Sequence, residues 1–140
     1  MATSMVTAKC RAGTADILVV GAGSMLGRHL AARLEAAGTS VWRTSRQGRS
    51  GECRHAALDL ADEADRWQLP SSPLSAAVVC AAVTSQTRCR EEPQQTTRIN
   101  VQGTISLLRE LAARGVFTVF PSSNMVFDGT RPHRRQDEPV

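Results

Sequence analysis

The sequence predicts an α/β fold: a doubly wound parallel sheet that is truncated after about five strands. Three observations predict it. Short apolar, β-branched runs alternate with segments of helical period along the chain. One run, "AAVVCAA" (76–82), is apolar throughout, as a strand covered on both faces requires. The first run, "DILVV" (16–20), leads directly into a glycine-rich turn and then a helical pattern.

Each element has its own warrant. Residues 16–20 form a buried strand, closed by Gly21. From Met25 to Ala37, Leu26, Leu30, Leu34 and Ala37 recur at helical spacing, and Gly38 supplies the C-terminal cap. "TSVWRT" (39–44) is a second strand and "AALDL" (56–60) a shorter third. "ADEADRW" (61–67) suggests one helical turn. Residues 76–82 are the fourth strand. A long helix runs from about Glu92 to Arg114, with Ile99, Leu107, Leu108 and Leu111 on its apolar side and Gly115 at its end. "FTVF" (117–120) is the fifth strand, broken by Pro121, Ser122, Ser123 and Asn124. The order is that of a Rossmann-type sheet, which holds its ligand beyond the carboxyl ends of its strands. Four segments then share one crevice: the turn after Val20, the end of strand two, the turn after Ala82, and Ser122–Ser123.

Composition narrows the function. The 140 residues suffice for one core, with residues 1–14 as a tail and 15–140 as the domain. No apolar run approaches membrane-span length, and the first 15 residues lack the apolar core of a signal peptide. The net charge of +4 comes from scattered arginines, with Lys9 the sole lysine, and aromatics are only 4%. A nucleic-acid surface needs a clustered basic stripe with stacking aromatics, so none is expected. Cys10, Cys53, Cys80 and Cys89 form no C-x-x-C pair, and the three histidines are not spaced to complete a zinc site. The expectation is a cytoplasmic protein with reduced thiols, a buried Cys80 and no metal.

The turn "VVGAGSMLGRHL" (19–30) carries the strongest chemistry. Gly21 and Gly23 fit the first two places of G-x-G-x-x-G, but Leu26 fills the third. Gly21 and Gly27 fit the wider G-x-x-G-x-x-G spacing, with Ser24 in the middle place and Gly23 one residue early. Either way, glycine permits positive φ and close backbone approach, and the helix behind it offers free N–H groups to a diphosphate. The same turn also serves as a plain strand–helix connection where no ligand binds. At the end of strand two an acidic residue would favour NAD. Here stand Arg43, Ser45, Arg46 and Arg49, which suit the extra phosphate of NADP. Strand-end arginines also occur simply as solvated charges.

Three blocks, "ILVVGAGSMLGRHLAARLEAAG", "CAAVTSQTRCREEPQQTTRINVQGTISLLREL" and "PSSNMVFDGT", resemble the extended short-chain dehydrogenase/reductases. These are the NAD-dependent epimerase/dehydratase family, and the similarity is greatest to the dTDP-4-dehydrorhamnose reductase branch. It covers about Ala15 to Pro139, including Glu92-Pro93, Asn100, Gly103-Thr104 and the closing "DEPV".

The resemblance implies roles. Gly21, Ser24 and Gly27, with Met25 and Leu26 between them, would form the diphosphate turn. Ser45 and Arg46 would face the adenosine 2′ position. Asp59 and Leu60 would flank adenine. Ala81, Ala82 and Val83 would line the nicotinamide ribose, and Asn100 would brace strand four. Ser123 would bond the reacting oxygen of the substrate; on the residues alone, Ser122 and Ser123 equally well satisfy turn amides.

The implied function is the NADP(H)-binding portion of a nucleotide-sugar reductase or epimerase, with NAD as the other cofactor, transferring hydride to a 4-keto sugar. The family's Tyr-x-x-x-Lys pair is absent: the chain has no tyrosine, and Lys9 lies in the tail. Met125 stands where the branch has tyrosine, and Ser24 where it has glycine. The expectation is therefore a fragment lacking its substrate domain, inactive alone and prone to self-association. The alternative is a non-catalytic regulatory or partner subunit of the same fold.

Overall fold

The computed structural model describes residues 16–49, 51–123 and 135. Five strands form one parallel sheet: β1 (Asp16–Val20), β2 (Val41–Ser45), β3 (His55–Ala57), β4 (Leu74–Val79) and β5 (Phe117–Val119). Their order is β3-β2-β1-β4-β5. The chain winds outward from β1 to β3, then returns to β4 on the other side of β1. That reversal opens a crevice above β1 and β4.

Helix α1 (Met25–Ala36) covers one face. Its Leu30, Ala31 and Leu34 pack on Val19 and Val41. On the opposite face α4 (Thr104–Ala113) buries Leu107 and Leu111 completely against Leu18, Val20, Ala77 and Val79. Each such leucine is worth about 2–5 kcal/mol against alanine. Phe117 and Val119 pair with Ala76 and Val78, which places them on the α1 face. Helix α1 packs on β1 and β2 and stops short of β5. Phe117 is accordingly 70% exposed and Val119 43%.

Several elements differ from the sequence reading. β2 begins at Val41 and includes Ser45. The third strand stops at Ala57, because the Asp59 carboxylate accepts from Ala61 N–H at 2.9 Å and turns the chain out of the sheet. The expected turn at 61–67 shrinks to a 3₁₀ turn at Ala64–Arg66. β4 lies earlier than 76–82, so Ala81–Val83 form a loop beyond the sheet. The long helix holds as one continuous helical run over residues 93–113, with a π-helical interior and a separate short helix before it. Ser85 caps a separate α2 (Gln86–Glu91), and Pro93 starts α3 (Pro93–Thr97). A π-helical stretch, Arg98–Gly103, then leads into α4. Cys80 is half-buried, and burial raises its thiol pKa.

At the far end of the sheet a polar knot ties three strands. Buried Asp16 accepts from Trp42 Nε1 at 2.9 Å and Ser72 Oγ at 3.2 Å, and pairs with Arg54. Burial pushes its carboxyl pKa up, but the bonds to Ser40, Arg54, Trp42 and Ser72 together outweigh burial and hold it below the usual value.

Candidate functional site

The site begins with the turn after β1. Gly21 has φ +79°, and a Cβ there would lie 2.8 Å from the Ala81 backbone. At Gly27 a Cβ would lie 2.4 Å from Gly21 O. These two glycines let the turn fold flat between β1, β4 and α1. Ser24 has φ −69° and ψ 161°, an ordinary extended conformation, so glycine is not needed. Its hydroxyl caps α1 by accepting from Gly27 N–H at 3.0 Å. With Gly27 engaged, the Met25 and Leu26 N–H groups are those that the first turn leaves for an anion. The side chains of Met25 and Leu26 are exposed and do not line the cleft. Thr44, fully buried, anchors the turn: its Oγ1 accepts from Gly21 N–H at 3.2 Å and its carbonyl from Ala22 N–H at 3.0 Å.

A cleft of about 550 Å³ opens above this turn. Gly21, Gly23, Ser24 and Ala81 line its centre. Ser45, Arg46 and Leu58 to Ala61 line one side, and Ala82 to Ser85, Arg88, Gln95 and Ile99 the other. Asp59 is held by three bonds: its carboxylate accepts from Ala61 N–H, and its carbonyl from Trp67 Nε1 at 2.7 Å and Asp62 N–H at 3.1 Å. The π-helical stretch sets the opposite wall. Asn100 clamps Val83 from both sides, accepting from its N–H at 2.8 Å and donating to its carbonyl at 2.9 Å. Gly103 presses so closely on Leu60 that a Cβ would lie 2.0 Å from its carbonyl oxygen.

Nine of the sequence-assigned residues line one cleft: Gly21, Ser24, Ser45, Arg46, Asp59, Leu60, Ala81, Ala82 and Val83. Gly27 and Asn100 act behind it. Ser123, past β5, is exposed and outside the lining. Met125, Lys9 and the closing "DEPV" lie outside the described residues. Two of the arginines assigned to a 2′-phosphate are engaged elsewhere. Arg43 binds Glu35 of α1 at 2.6 Å, and that bond raises its pKa. Arg49 pairs with Glu52 at 3.2 Å on the surface. Arg46 alone of the four arginine and serine candidates' cations lines the cleft.

The sequence reading missed Thr44, Arg88, Gln95 and His55. Arg88 had a usable signal, the Arg88/Glu92 spacing of four, and the structure joins them at 3.1 Å. Arg88 also donates to Gln95 at 3.3 Å, which fixes its head at the cleft wall. Among the described residues no three histidine, cysteine or acidic side chains gather to hold a metal, and no helix is long and apolar enough to cross a membrane.

The NAD-dependent epimerase/dehydratase family model matches residues 17–140. The chain belongs to that family. Among curated proteins it is 29% identical, over 87% of its length, to the mouse (Mus musculus) methionine adenosyltransferase 2 subunit beta. Among solved structures it is 26% identical to MoeE5 in complex with UDP-glucose and NAD, with a TM-score of 0.73 over 88% of this chain. A short-chain dehydrogenase/reductase superfamily protein from Agrobacterium tumefaciens with bound NAD is 27% identical, with a TM-score of 0.67 over 89% of this chain. The chain spans 36% of the mouse protein, 41% of MoeE5 and 38% of the Agrobacterium protein.

Proposed function

We propose that this chain is the NADP(H)-binding portion of a nucleotide-sugar reductase or epimerase, with the dTDP-4-dehydrorhamnose reductase branch as its nearest type. The observation that carries the reading is the glycine turn. Gly21 and Gly27 have no room for a side chain, and Gly21, Gly23 and Ser24, the turn that opens α1, line the cleft. That cradle suits a diphosphate. Leu58, Leu60 and Ile99 offer an apolar slot for adenine. Arg46 lines the cleft beyond β2, where a 2′-phosphate would sit, and the sequence at the end of β2, residues 43–49, carries no acidic residue to favour NAD instead. MoeE5 and the Agrobacterium relative bind NAD, so NAD is the competing cofactor.

In the complete protein the cofactor would supply hydride to a 4-keto sugar. This chain's residues would bind and orient the dinucleotide: Ala81, Ala82 and Val83 beside the nicotinamide ribose, with Asn100 holding that loop, and Ser123 donating to the substrate oxygen. A proton donor would come from polypeptide outside this sequence.

A second reading is favoured by one observation: the curated relatives the chain matches are subunits of a methionine adenosyltransferase. On that reading the chain is a non-catalytic, dinucleotide-binding partner subunit. Both readings require the cleft to bind a nicotinamide dinucleotide, and the first favours NADP. Calorimetric titration of NADP+ and NAD+ tests this: we expect tighter NADP+ binding, with Arg46→Gln removing the difference. No binding of either would refute both. Stimulation of a partner enzyme's turnover, without NADPH consumption, would select the second.

A further inference from the structure

Behind Ser45 lies a relay that neither functional reading uses. Ser45 lines the cleft, and its Oγ is 2.9 Å from His55 Nε2. The His55 side chain is only 6% exposed. Its Nδ1 is 3.2 Å from Glu52 Oε2 yet makes no aligned hydrogen bond, which leaves a buried ring nitrogen without a settled partner. Glu52 is half exposed, so a small turn of its carboxylate aligns the pair.

Donor counting decides what this chain can do. A serine hydroxyl has one proton and two lone pairs. In neutral His55 the proton belongs on Nδ1, toward the Glu52 carboxylate, because a lone pair there would face a negative charge. Nε2 is then an acceptor, and Ser45 spends its proton on it. Ser45 so engaged shows the cleft only lone pairs, which suit a ribose 2′-hydroxyl and repel a 2′-phosphate. When His55 is doubly protonated, Nε2–H donates to Ser45 and the hydroxyl proton is released toward the cleft. It then donates to a 2′-phosphate, beside Arg46.

We propose that Ser45, His55 and Glu52 form a proton-linked selector for the adenosine 2′ position. Binding a 2′-phosphate draws one proton from solvent onto Nε2, while Nδ1–H stays on Glu52; no bond other than these hydrogen bonds changes. The surrounding charges are accounted for. Arg49 binds Glu52, Arg54 pairs with Asp16, and Arg43, opposite His55 in the register, is held by Glu35. Among the described residues, Arg46 is the remaining cation on this side of the cleft.

The inference rests on the NADP reading, and the test separates the two. NADP+ and NAD+ are titrated calorimetrically at pH 7.5, where a phosphate monoester is largely a dianion, in buffers of differing ionisation enthalpy. The expected result is proton uptake with NADP+ and none with NAD+. The ratio of NADP+ to NAD+ affinity should fall about tenfold from pH 6.5 to 8.5. His55→Gln should abolish both effects. Glu52→Gln, a surface change that leaves the fold intact, should at least halve the uptake. Binding of both cofactors with equal uptake, or with a pH-independent ratio, overturns the selector while the cleft reading stands. Binding of neither overturns the cleft reading itself.

Discussion

Replacing Gly103 by alanine is the sharpest structural test. Gly103 ends the π-helical stretch, buried against the turn after β3. Its added Cβ would sit 2.0 Å from Leu60 O, 2.9 Å from Leu60 C and 3.0 Å from Leu60 Cβ. Ordinary contact begins near 3.4 Å, so the two segments must part by about 1.4 Å. Two of the three opposing atoms are backbone, so no rotamer change relieves the clash. Overpacking of this kind costs about 1–3 kcal/mol, and here the upper end applies. Alanine returns about 1 kcal/mol in helix propensity. The net loss is about 2 kcal/mol. With a urea m-value of about 2 kcal/mol/M, the midpoint should fall by about 1 M. Gly23→Ala is the control, since its Cβ meets nothing within 4 Å and its φ is not positive. Urea unfolding followed by circular dichroism reads both. A Gly103→Ala midpoint equal to wild type would refute the packing argument. Because Leu60 lines the cleft, the variant should also weaken dinucleotide binding.

Other outcomes follow from the same geometry. Asn100→Asp keeps the acceptor for Val83 N–H but sets a carboxylate against Val83 O, so thermal unfolding should show a loss of about 2 kcal/mol. Asp16 titrates below its unfolded value, so the stability it contributes is present above about pH 4 and is lost as pH falls through its folded pKa. Asp16→Asn should cost about 3 kcal/mol at neutral pH and flatten the acid limb of the stability curve; an unchanged acid limb would contradict it. Phe117 and Val119, exposed on the edge strand, should drive self-association, and Phe117→Lys should shift the sedimentation profile toward monomer.

The five strands were legible in the sequence because each carries its own apolar run, and their alternation with helical segments calls for a parallel sheet. The glycine turn was legible too, since Gly21 and Gly27 are forced by local geometry. What escaped was set by side chains reaching across the sequence. Asn100 was placed by the family resemblance, but the π-helical stretch through which it clamps Val83, 17 residues away, is announced by no periodicity. Arg43 looked like a phosphate ligand, but Glu35 on the preceding helix takes it. His55, just before the third strand as read from the sequence, figured only as a histidine not spaced for zinc until the register set it behind Ser45. Thr44 reads as one more β-branched strand residue, yet it holds the turn that makes the cleft.

The most direct test of the central claim is to record backbone amide NMR shifts of the chain while NADP+ is added. The account predicts saturable shifts at Gly21 to Gly27, Ser45, Arg46, Leu60 and Ala81 to Val83, with Asp16, Trp42 and Ser72 at the opposite end unmoved. No shifts, or shifts centred on the Asp16 end, would contradict it.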